Sequence, residues 1–262
     1  MIPINVDRIS KRQDFVGKTG LYVTSMFRTI QGEGPFTGYP SVFLRLAGCN
    51  FGDKDDRCKF CDTAFEIDRA THYSLADLRD KLLSLDGYNP KDVLVITGGE
   101  PTLQSQLIPF TNSVYGDFSE VQVETNGTQA YFFSELAEYP AHHLRPCFVV
   151  SPKASHKLHG YAALSPVVLG SADCLKFVVS ADPNDPHHTI PQWALDFAKD
   201  GVVYVSPMAI YKKAYPGEVS SIWDDDLIDR EKTAQNYAYA AQYAMKHNLH
   251  LSLQTHLFTA IP

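Results

Sequence analysis

The stretch SVFLRLAGCNFGDKDDRCKFCDT (residues 41–63) joins an apolar segment to three cysteines. Its first eight residues are mostly apolar on both sides rather than alternating, which is typical of a parallel strand covered on both faces. Similar short apolar segments recur along the chain, and each is followed by polar or glycine-rich residues. They lie at 92–99, 121–125, 147–151, 174–180, 202–206 and 249–254. This pattern predicts a parallel β-sheet whose first strand runs into the cysteines.

Helical patterns fill the intervals between these segments. SLADLRDKLLSL (74–85) places Ser74 and Asp77 in the spacing of a helix cap and its leucines on one face. A second helix is predicted over 229–248, ending at Asn248, with an apolar stripe that comprises Ala234, Tyr237, Ala238, Ala241 and Met245. Shorter helical patterns span 102–112, 131–138 and 190–199.

Alternating strands and helices predict βαβ units with right-handed crossovers. Six or seven strands are too few for a complete eight-stranded barrel. We therefore expect an α/β fold, a partial (open) TIM-like barrel of about six parallel strands with helices outside. A probable extra strand at 21–27 precedes these units.

Composition limits the functional class. The 262 residues are 44% hydrophobic and 20% charged, with a net charge of −7. That charge argues against a direct nucleic-acid partner, which needs a basic face. No apolar run approaches the roughly 18 residues that cross a bilayer, and the N-terminus lacks the apolar stretch of a secretory signal. Five unevenly spaced cysteines fit a reducing compartment, so we expect a cytoplasmic protein with no membrane partner.

The polar motifs are predicted to share one edge of the sheet, because chemistry in parallel α/β folds gathers at the carboxyl ends of the strands. Each motif directly follows a predicted strand or closes it. They are Cys49, TGGEP (97–101), ETNGT (124–128), SPK (151–153), SPM (206–208) and QTH (254–256).

Three clustered cysteines admit three interpretations. Thiolates favour zinc, copper(I) or iron–sulfur clusters. A structural zinc site would need a fourth ligand such as His72, and unrelated buried cysteines would need none. A four-iron cluster held at three corners leaves one iron open to an exogenous ligand. The spacing favours the cluster.

Other residues suggest a ligand site on their chemistry alone. Arg45 lies inside an apolar strand and needs an anion, either structural or substrate. Gly98 and Gly99 allow close backbone approach to a ligand. Glu33, in the glycine-rich QGEG loop (31–34), can accept hydrogen bonds from the amino and ring N–H groups of a heterocycle.

The cysteines together with GGEP resemble the radical S-adenosylmethionine superfamily, although Cys49-x8-Cys58-x2-Cys61 departs from its usual Cys-x3-Cys-x2-Cys spacing. Within it, the chain most resembles the 7-carboxy-7-deazaguanine synthase family, whose members often carry a longer first spacing. The matching stretches are FRTIQGEGPFTGYPSVFLRLAGCN (27–50), CKFCDT (58–63), TGGEPTLQ (97–104), VETNGT (123–128), VSPK (150–153) and QTH (254–256).

The resemblance implies one radical S-adenosylmethionine domain over 1–262, whose N-terminal extension (1–40) carries the QGEG substrate loop. It implies conversion of 6-carboxy-5,6,7,8-tetrahydropterin to 7-carboxy-7-deazaguanine and ammonia, a step of queuosine and deazapurine biosynthesis. It also implies a flavodoxin or ferredoxin as electron donor and a homodimer. The alternatives are another small radical enzyme, such as a glycyl-radical activase, or a non-catalytic zinc-binding module.

The resemblance also implies a set of site residues, with the radical chemistry carried by the cofactor rather than by a side chain. The metal ligands are Cys49, Cys58 and Cys61 for the 4Fe-4S cluster and Thr63 (or Asp62) for Mg²⁺. Residues for S-adenosylmethionine are Gly98, Gly99, Glu100, Glu124, Asn126, Ser151, Pro152, Lys153, Ser206, Pro207 and Met208. Residues for the substrate are Ile30, Gln31, Gly32, Glu33, Arg45, Thr97, His256 and the terminal Pro262.

Overall fold

The computed structural model describes residues 10–11, 14–51, 58, 60–61, 65, 70–139, 145–212, 221–224, 226–259 and 261. The strands are β1 (Leu21–Ile30), β2 (Pro40–Leu46), β3 (Thr71–Tyr73), β4 (Val93–Gly98), β5 (Glu120–Thr125), β6 (Cys147–Val150), β7 (Ala154–Ser155), β8 (Gly160–Tyr161), β9 (Cys174–Val179), β10 (Val202–Pro207) and β11 (His250–Leu251). The helices are α1 (Leu75–Leu83), α2 (Leu107–Ser113), α3 (Ala130–Ala137), α4 (Pro166–Ser171), α5 (Gln192–Phe197), α6 (Arg230–His247) and α7 (Thr255–Thr259).

Nine strands form one sheet in the order β11-β10-β9-β6-β5-β4-β2-β1-β3. From β2 to β11 every neighbouring pair is parallel, while β1 and β3 extend the sheet in antiparallel pairing. In the described part of the chain the sheet does not close on itself, since β3 and β11 are its two edges. The predicted α/β fold with an open parallel sheet is confirmed, and the probable extra strand is β1.

One face of the sheet packs against the helices. Alternate residues of the parallel strands, among them Leu44, Ile96 and Phe177, enter a core that also takes Leu78 and Leu82 of α1. Each fully buried leucine stabilises the fold by about 2 kcal/mol relative to an exposed one. Ser74 accepts a hydrogen bond from the Asp77 backbone N–H and caps α1 as predicted. This packing leaves the opposite face of the strands for the site.

The residues on that opposite face are largely polar. Arg45 of β2 lies in register with Thr97 of β4, and Tyr204 of β10 lies in register with Lys176 of β9. Side chains alternate between the two faces along a strand, so Glu124 of β5 shares this polar face while Val123 joins the core.

The structure corrects two predictions about the last third of the chain. The apolar stripe predicted for α6 is wrong: Met245 is 76% exposed, whereas the buried positions are Thr233, Asn236, Ala240, Tyr243 and Ala244. Asn236 is buried because its amide bonds the Met208 carbonyl and the Ala181 N–H, and a hydrophobic pattern cannot reveal such a residue. The strand predicted over 249–254 is only His250–Leu251, and the QTH motif leads into α7.

Several short elements had no sequence signal that we recognised. They are β3, the β7–β8 hairpin and α4, which has Pro166 at its first position. Across the described residues, no helix combines the length and apolar character needed to span a bilayer.

Candidate active site

A cavity opens at the carboxyl ends of the parallel strands. Its walls come from the QGEG loop, the cysteine segment, the strand ends and the segment before α7. The lining residues are Glu33, Cys49, Phe51, Cys58, Phe60, Cys61, Phe65, Thr97, Gly98, Gly99, Glu124, Thr125, Asn126, Ser151, Lys153, Lys176, Val178 and Gln254. The structure thus brings most of the predicted motifs to one place.

The three clustered cysteines all line this cavity. The Cys61 N–H donates to the Cys58 carbonyl (3.1 Å), which closes the Cys-x2-Cys turn, and the Cys49 carbonyl accepts from the Ser10 N–H (2.8 Å). Burial raises the pKa of the Cys49 thiol to about 12. A buried thiol of this kind becomes a thiolate only when a positive centre replaces its proton.

The zinc interpretation finds no fourth ligand in His72. That imidazole packs at a tilt against the Tyr22 ring (ring centroids 4.9 Å apart) and bonds the Thr19 carbonyl. Among the described residues, no three His, Cys, Asp or Glu side chains converge closely enough to enclose a single metal ion. Three soft donors facing one cavity fit a cluster that uses one thiolate per corner.

Gly98 and Gly99 are required by the protein's own backbone. Gly98 has φ +126°, and a Cβ there would lie 2.1 Å from the Leu46 carbonyl oxygen. A Cβ on Gly99 would lie 2.1 Å from the Gly48 oxygen. The Gly99 N–H donates to Leu46 O (3.1 Å) and the Glu100 N–H to Gly48 O (2.7 Å). We expected these glycines to let the backbone approach a ligand closely. In the structure they approach the backbone of the Leu46–Cys49 segment, and this contact holds Cys49 in position.

Glu100 is fully buried and its carboxylate points into the protein. It accepts from the Thr102 N–H (3.0 Å), the Thr125 hydroxyl (2.6 Å) and the Asn126 N–H (2.6 Å). Burial raises the pKa of Glu100, and these hydrogen bonds act in the opposite direction. The side chain ties the end of β4 to the end of β5 and does not line the cavity.

The loop after β5 is joined to the loop that carries Cys49. The Asn126 side-chain amide donates to Asn50 Oδ1 (3.0 Å), and Asn50 donates to the Thr128 hydroxyl (2.8 Å). Asn126 is 5% exposed and contributes to the cavity wall. Two predicted site motifs thereby support each other.

A polar network forms another part of the cavity lining. Lys176 Nζ donates to Glu33 Oε2 at 2.7 Å and lies 3.6 Å from Glu124 Oε2. Glu124 Oε1 accepts from the amides of Gln31 (3.1 Å) and Gln122 (2.9 Å). The Glu33 N–H donates back to Gln31 Oε1 (3.1 Å). The network fixes the QGEG loop against β5 and β9, so the predicted cofactor residue Glu124 contacts the predicted substrate loop.

Arg45 lies in register with Thr97 on the polar face, and its guanidinium sits 4.9 Å from the centre of the Phe27 ring. Its Nε is buried and finds no hydrogen-bond partner in the described part of the chain. Burying a cationic donor without a partner is costly, and an anion bound beside it would offset that cost through a charge-assisted hydrogen bond.

The predicted nucleoside-binding residues divide into two groups. Ser151 and Lys153 line the cavity, and the hydroxyls of Ser151 and Ser206 are buried without a partner among the described residues. Buried hydroxyls normally find a partner, so the Ser151 hydroxyl, at the cavity, fits a polar ligand. Ser206, Pro152, Pro207 and Met208 do not line the cavity, and the Met208 backbone bonds Val179 and Asn236 instead.

The remaining substrate predictions meet at the QGEG loop. A Cβ on Gly32 would lie 3.0 Å from His256 Nδ1, and the Thr255 N–H donates to Gly32 O (3.2 Å). Gln31 is 2% exposed, whereas Ile30 is 37% exposed on the outside. Thr63, Asp62 and Pro262 lie outside the described residues, and their roles stay predictions.

Sequence reasoning missed Lys176, Gln254 and the three phenylalanines of the cysteine segment as cavity residues. The signal for Lys176 was present, because a lone lysine inside CLKFVVS (174–180) resembles the lone arginine inside SVFLRLAG. The phenylalanines carried no distinguishing pattern.

Comparison with known proteins decides the family. A family model described as the Radical SAM superfamily matches residues 45–145. The 7-carboxy-7-deazaguanine synthase of Rickettsia prowazekii is 34% identical over 93% of this chain and 89% of its own length. The chain belongs to the 7-carboxy-7-deazaguanine synthase family. The family member from Hyperthermus butylicus is 31% identical over 98% of this chain and 100% of its own.

A solved structure supports the fold of this family member. QueE from Escherichia coli superposes with a TM-score of 0.59 at 24% identity, covering 94% of this chain and 99% of that one. This likeness confirms the predicted partial barrel. Membership of the radical S-adenosylmethionine superfamily implies a 4Fe-4S cluster and S-adenosylmethionine. The three cysteines in one cavity fit the cluster, and the Ser151 hydroxyl beside them, which has no partner among the described residues, fits a polar cofactor.

Proposed function

We propose that this protein converts 6-carboxy-5,6,7,8-tetrahydropterin to 7-carboxy-7-deazaguanine, the product in the name of its relatives, and ammonia. The observation that carries the proposal is the shared cavity. Three cysteines line it together with Glu33, Lys176 and Glu124, whose side chains form one charged network. In this proposal one cavity contains both the cysteines that hold the radical-generating cofactor and the polar residues that bind the heterocycle.

The cofactors supply the reactive group. Cys49, Cys58 and Cys61 would hold a four-iron cluster, which when bound would supply, together with S-adenosylmethionine, the radical chemistry. The chain's own residues then bind and orient. Ser151 and Lys153 hold polar groups of the nucleoside, aided by the loops of Gly99 and Asn126. The phenylalanines at 51, 60 and 65 exclude water from that side of the cavity.

The substrate is held at its two ends. Glu33 accepts from the amino and ring N–H groups of the pterin, and Arg45 binds the 6-carboxylate as a charge-assisted pair. Thr97, in register with Arg45, and His256, beside Gly32, complete the pocket. This positioning holds C6 at a fixed place relative to the nucleoside, and proximity of this kind accounts for much of the barrier reduction in enzymes.

Other parts of the proposal rest on family resemblance. They are Mg²⁺ held by Thr63 with substrate oxygens, a substrate contact from the Pro262 carboxylate, a flavodoxin or ferredoxin donor and a homodimer. A single domain over 1–262 and a cytoplasmic location belong to the same group. Each stays a prediction.

Anaerobic turnover tests the function. Protein reconstituted with iron and sulfide is incubated with S-adenosylmethionine, dithionite and the carboxytetrahydropterin, and products are measured by mass spectrometry. We expect 7-carboxy-7-deazaguanine only when all components are present, and none from a tetrahydropterin without the carboxylate. Absence of product from protein with an intact cluster would refute the proposal and favour another radical enzyme.

A further inference from the structure

Lys176 is a charged residue of the cavity to which neither the motifs nor the proposed reaction assigns a role. It sits in the middle of β9 between Leu175 and Phe177, both of which are fully buried. Its own side chain is only 7% exposed, yet it lines the cavity. A buried ammonium is costly unless it is paired, so the position of this lysine requires an explanation.

The pairing of Lys176 with Glu33 places an ammonium donor directly beside a carboxylate acceptor. Lys176 Nζ donates to Glu33 Oε2 at 2.7 Å, and both side chains face the same cavity. Glu124 stands 3.6 Å away from the ammonium and is occupied at Oε1 by the amides of Gln31 and Gln122. The Gln31 contact and the Lys176 pair leave Glu33 little freedom to turn away from β9.

This arrangement complements one edge of a pterin. The lactam edge presents the C4 carbonyl as an acceptor, followed by the N3–H and 2-amino groups as donors. A carboxylate can accept from the two donors, while an ammonium next to it donates to the carbonyl. From this geometry we infer that Lys176 and Glu33 together recognise the lactam edge, and that Lys176 selects a 4-oxo heterocycle. The inference deepens the proposed function and rests on it.

A purely structural role for Lys176 makes a different prediction. If the lysine only holds Glu33 in place, its loss weakens every ligand of this pocket by the same factor. If it donates to the C4 oxygen, its loss weakens a good acceptor at C4 more than a poor one. The comparison therefore needs two ligands that differ at this atom alone.

A chemical double-mutant cycle supplies that comparison. The ligands are 6-carboxytetrahydropterin and its 4-thioxo analogue, which keeps N3–H but offers sulfur, a weak acceptor, at C4. Dissociation constants are measured by anaerobic calorimetry on reconstituted holoenzyme with S-adenosylmethionine bound and no reductant. Wild-type protein should bind the 4-oxo ligand about tenfold more tightly, as expected for one charge-assisted hydrogen bond.

In Lys176→Met, we expect the 4-oxo ligand to bind at least about tenfold more weakly and the preference to shrink to about twofold. Lys199→Met, at a surface lysine with a 71% exposed side chain, should keep the wild-type preference. An unchanged preference in Lys176→Met would show a structural role and overturn the inference. If Lys176→Met fails to assemble its cluster, Lys176→Arg is measured in its place. The arginine retains a hydrogen-bond donor, so the preference for the 4-oxo ligand must persist. Loss of that preference in Lys176→Arg would overturn the inference.

The outcomes separate the inference from the proposed function. Equal wild-type affinity for the two ligands would overturn the role of Lys176 while turnover of the pterin still stands. Failure of wild-type holoenzyme to bind or convert the 4-oxo ligand would overturn both.

Discussion

At the scale of single residues, two apolar strands each carry one charged side chain on the polar face of the sheet. Arg45 and Lys176 each occupy a position in β2 or β9 whose neighbours on the chain are fully buried leucines or phenylalanines. Lys176 is compensated by Glu33, whereas the buried Nε of Arg45 has no partner in the described part of the chain. The difference supports the proposal that Arg45 binds an anionic ligand.

Arg45→Ala tests that anion site. We expect KM for the carboxytetrahydropterin to rise about 100-fold, because a charge-assisted bidentate contact contributes about 2–3 kcal/mol. Reductive cleavage of S-adenosylmethionine without the pterin should stay at the wild-type rate. Arg145→Ala is the control, since Arg145 pairs with Asp173 at the surface. An unchanged KM in Arg45→Ala would remove Arg45 from the substrate site.

Glu100 gives a prediction in pH. Burial raises its pKa above the ordinary value of 4.5, so the folded state holds this proton more tightly than the unfolded state does. By linkage, the contribution of Glu100 to the free energy of unfolding is largest below pH 4.5 and decreases as pH rises through the raised pKa. Glu100→Gln has no such titration. The stability difference between wild type and Glu100→Gln should therefore shrink from pH 5 to pH 8 in urea unfolding, and a constant or growing difference would contradict the assignment.

At the scale of elements, the end of β4 and the loop after β2 form one unit. Their backbones approach so closely that neither Gly98 nor Gly99 can carry a Cβ without displacing Leu46 or Gly48. Hydrogen bonds from Gly99 and Glu100 to that segment fix Cys49 at the cavity. The GGEP motif thus supports the backbone that carries Cys49, the proposed first ligand of the cluster.

Gly99→Ala should disrupt this unit. We expect a loss of about 3 kcal/mol in the free energy of unfolding, as for other overpacked sites, together with less iron bound after reconstitution. Gly170→Ala is the matched control: it lies in α4, and a Cβ there would meet nothing within 4 Å. That variant should be neutral or up to about 1 kcal/mol more stable. Equal iron content in Gly99→Ala and wild type would contradict the coupling of β4 to Cys49.

The elements were predictable to the extent that their signal is local. The six main parallel strands end within two residues of the predicted positions, because buried parallel strands are continuous apolar runs. The orientation of α6 was not predictable, since Asn236 is buried by bonds to Met208 and Ala181 that lie far away in sequence.

The site motifs could be found because they follow strands. Lys176 was missed because one polar residue inside a strand was read as part of the strand.

At the scale of the whole molecule, the sheet separates two environments. One face packs a hydrophobic core against the helices, and the other faces a cavity with thiols on one side and a charged network on the other. The first residues of α7 contact the QGEG loop, so the C-terminal segment is joined to the N-terminal part of the site. Residues far apart in the chain thus line one cavity.

From the family resemblance we propose that the C6 hydrogen of the substrate is abstracted by a deoxyadenosyl radical and that hydrogen return regenerates S-adenosylmethionine. The most direct test of this step uses substrate deuterated at C6. Anaerobic turnover with this substrate, followed by mass spectrometry of the recovered S-adenosylmethionine, shows where the deuterium goes. The account predicts deuterium in S-adenosylmethionine together with formation of 7-carboxy-7-deazaguanine. Product formed while S-adenosylmethionine stays unlabelled would contradict it.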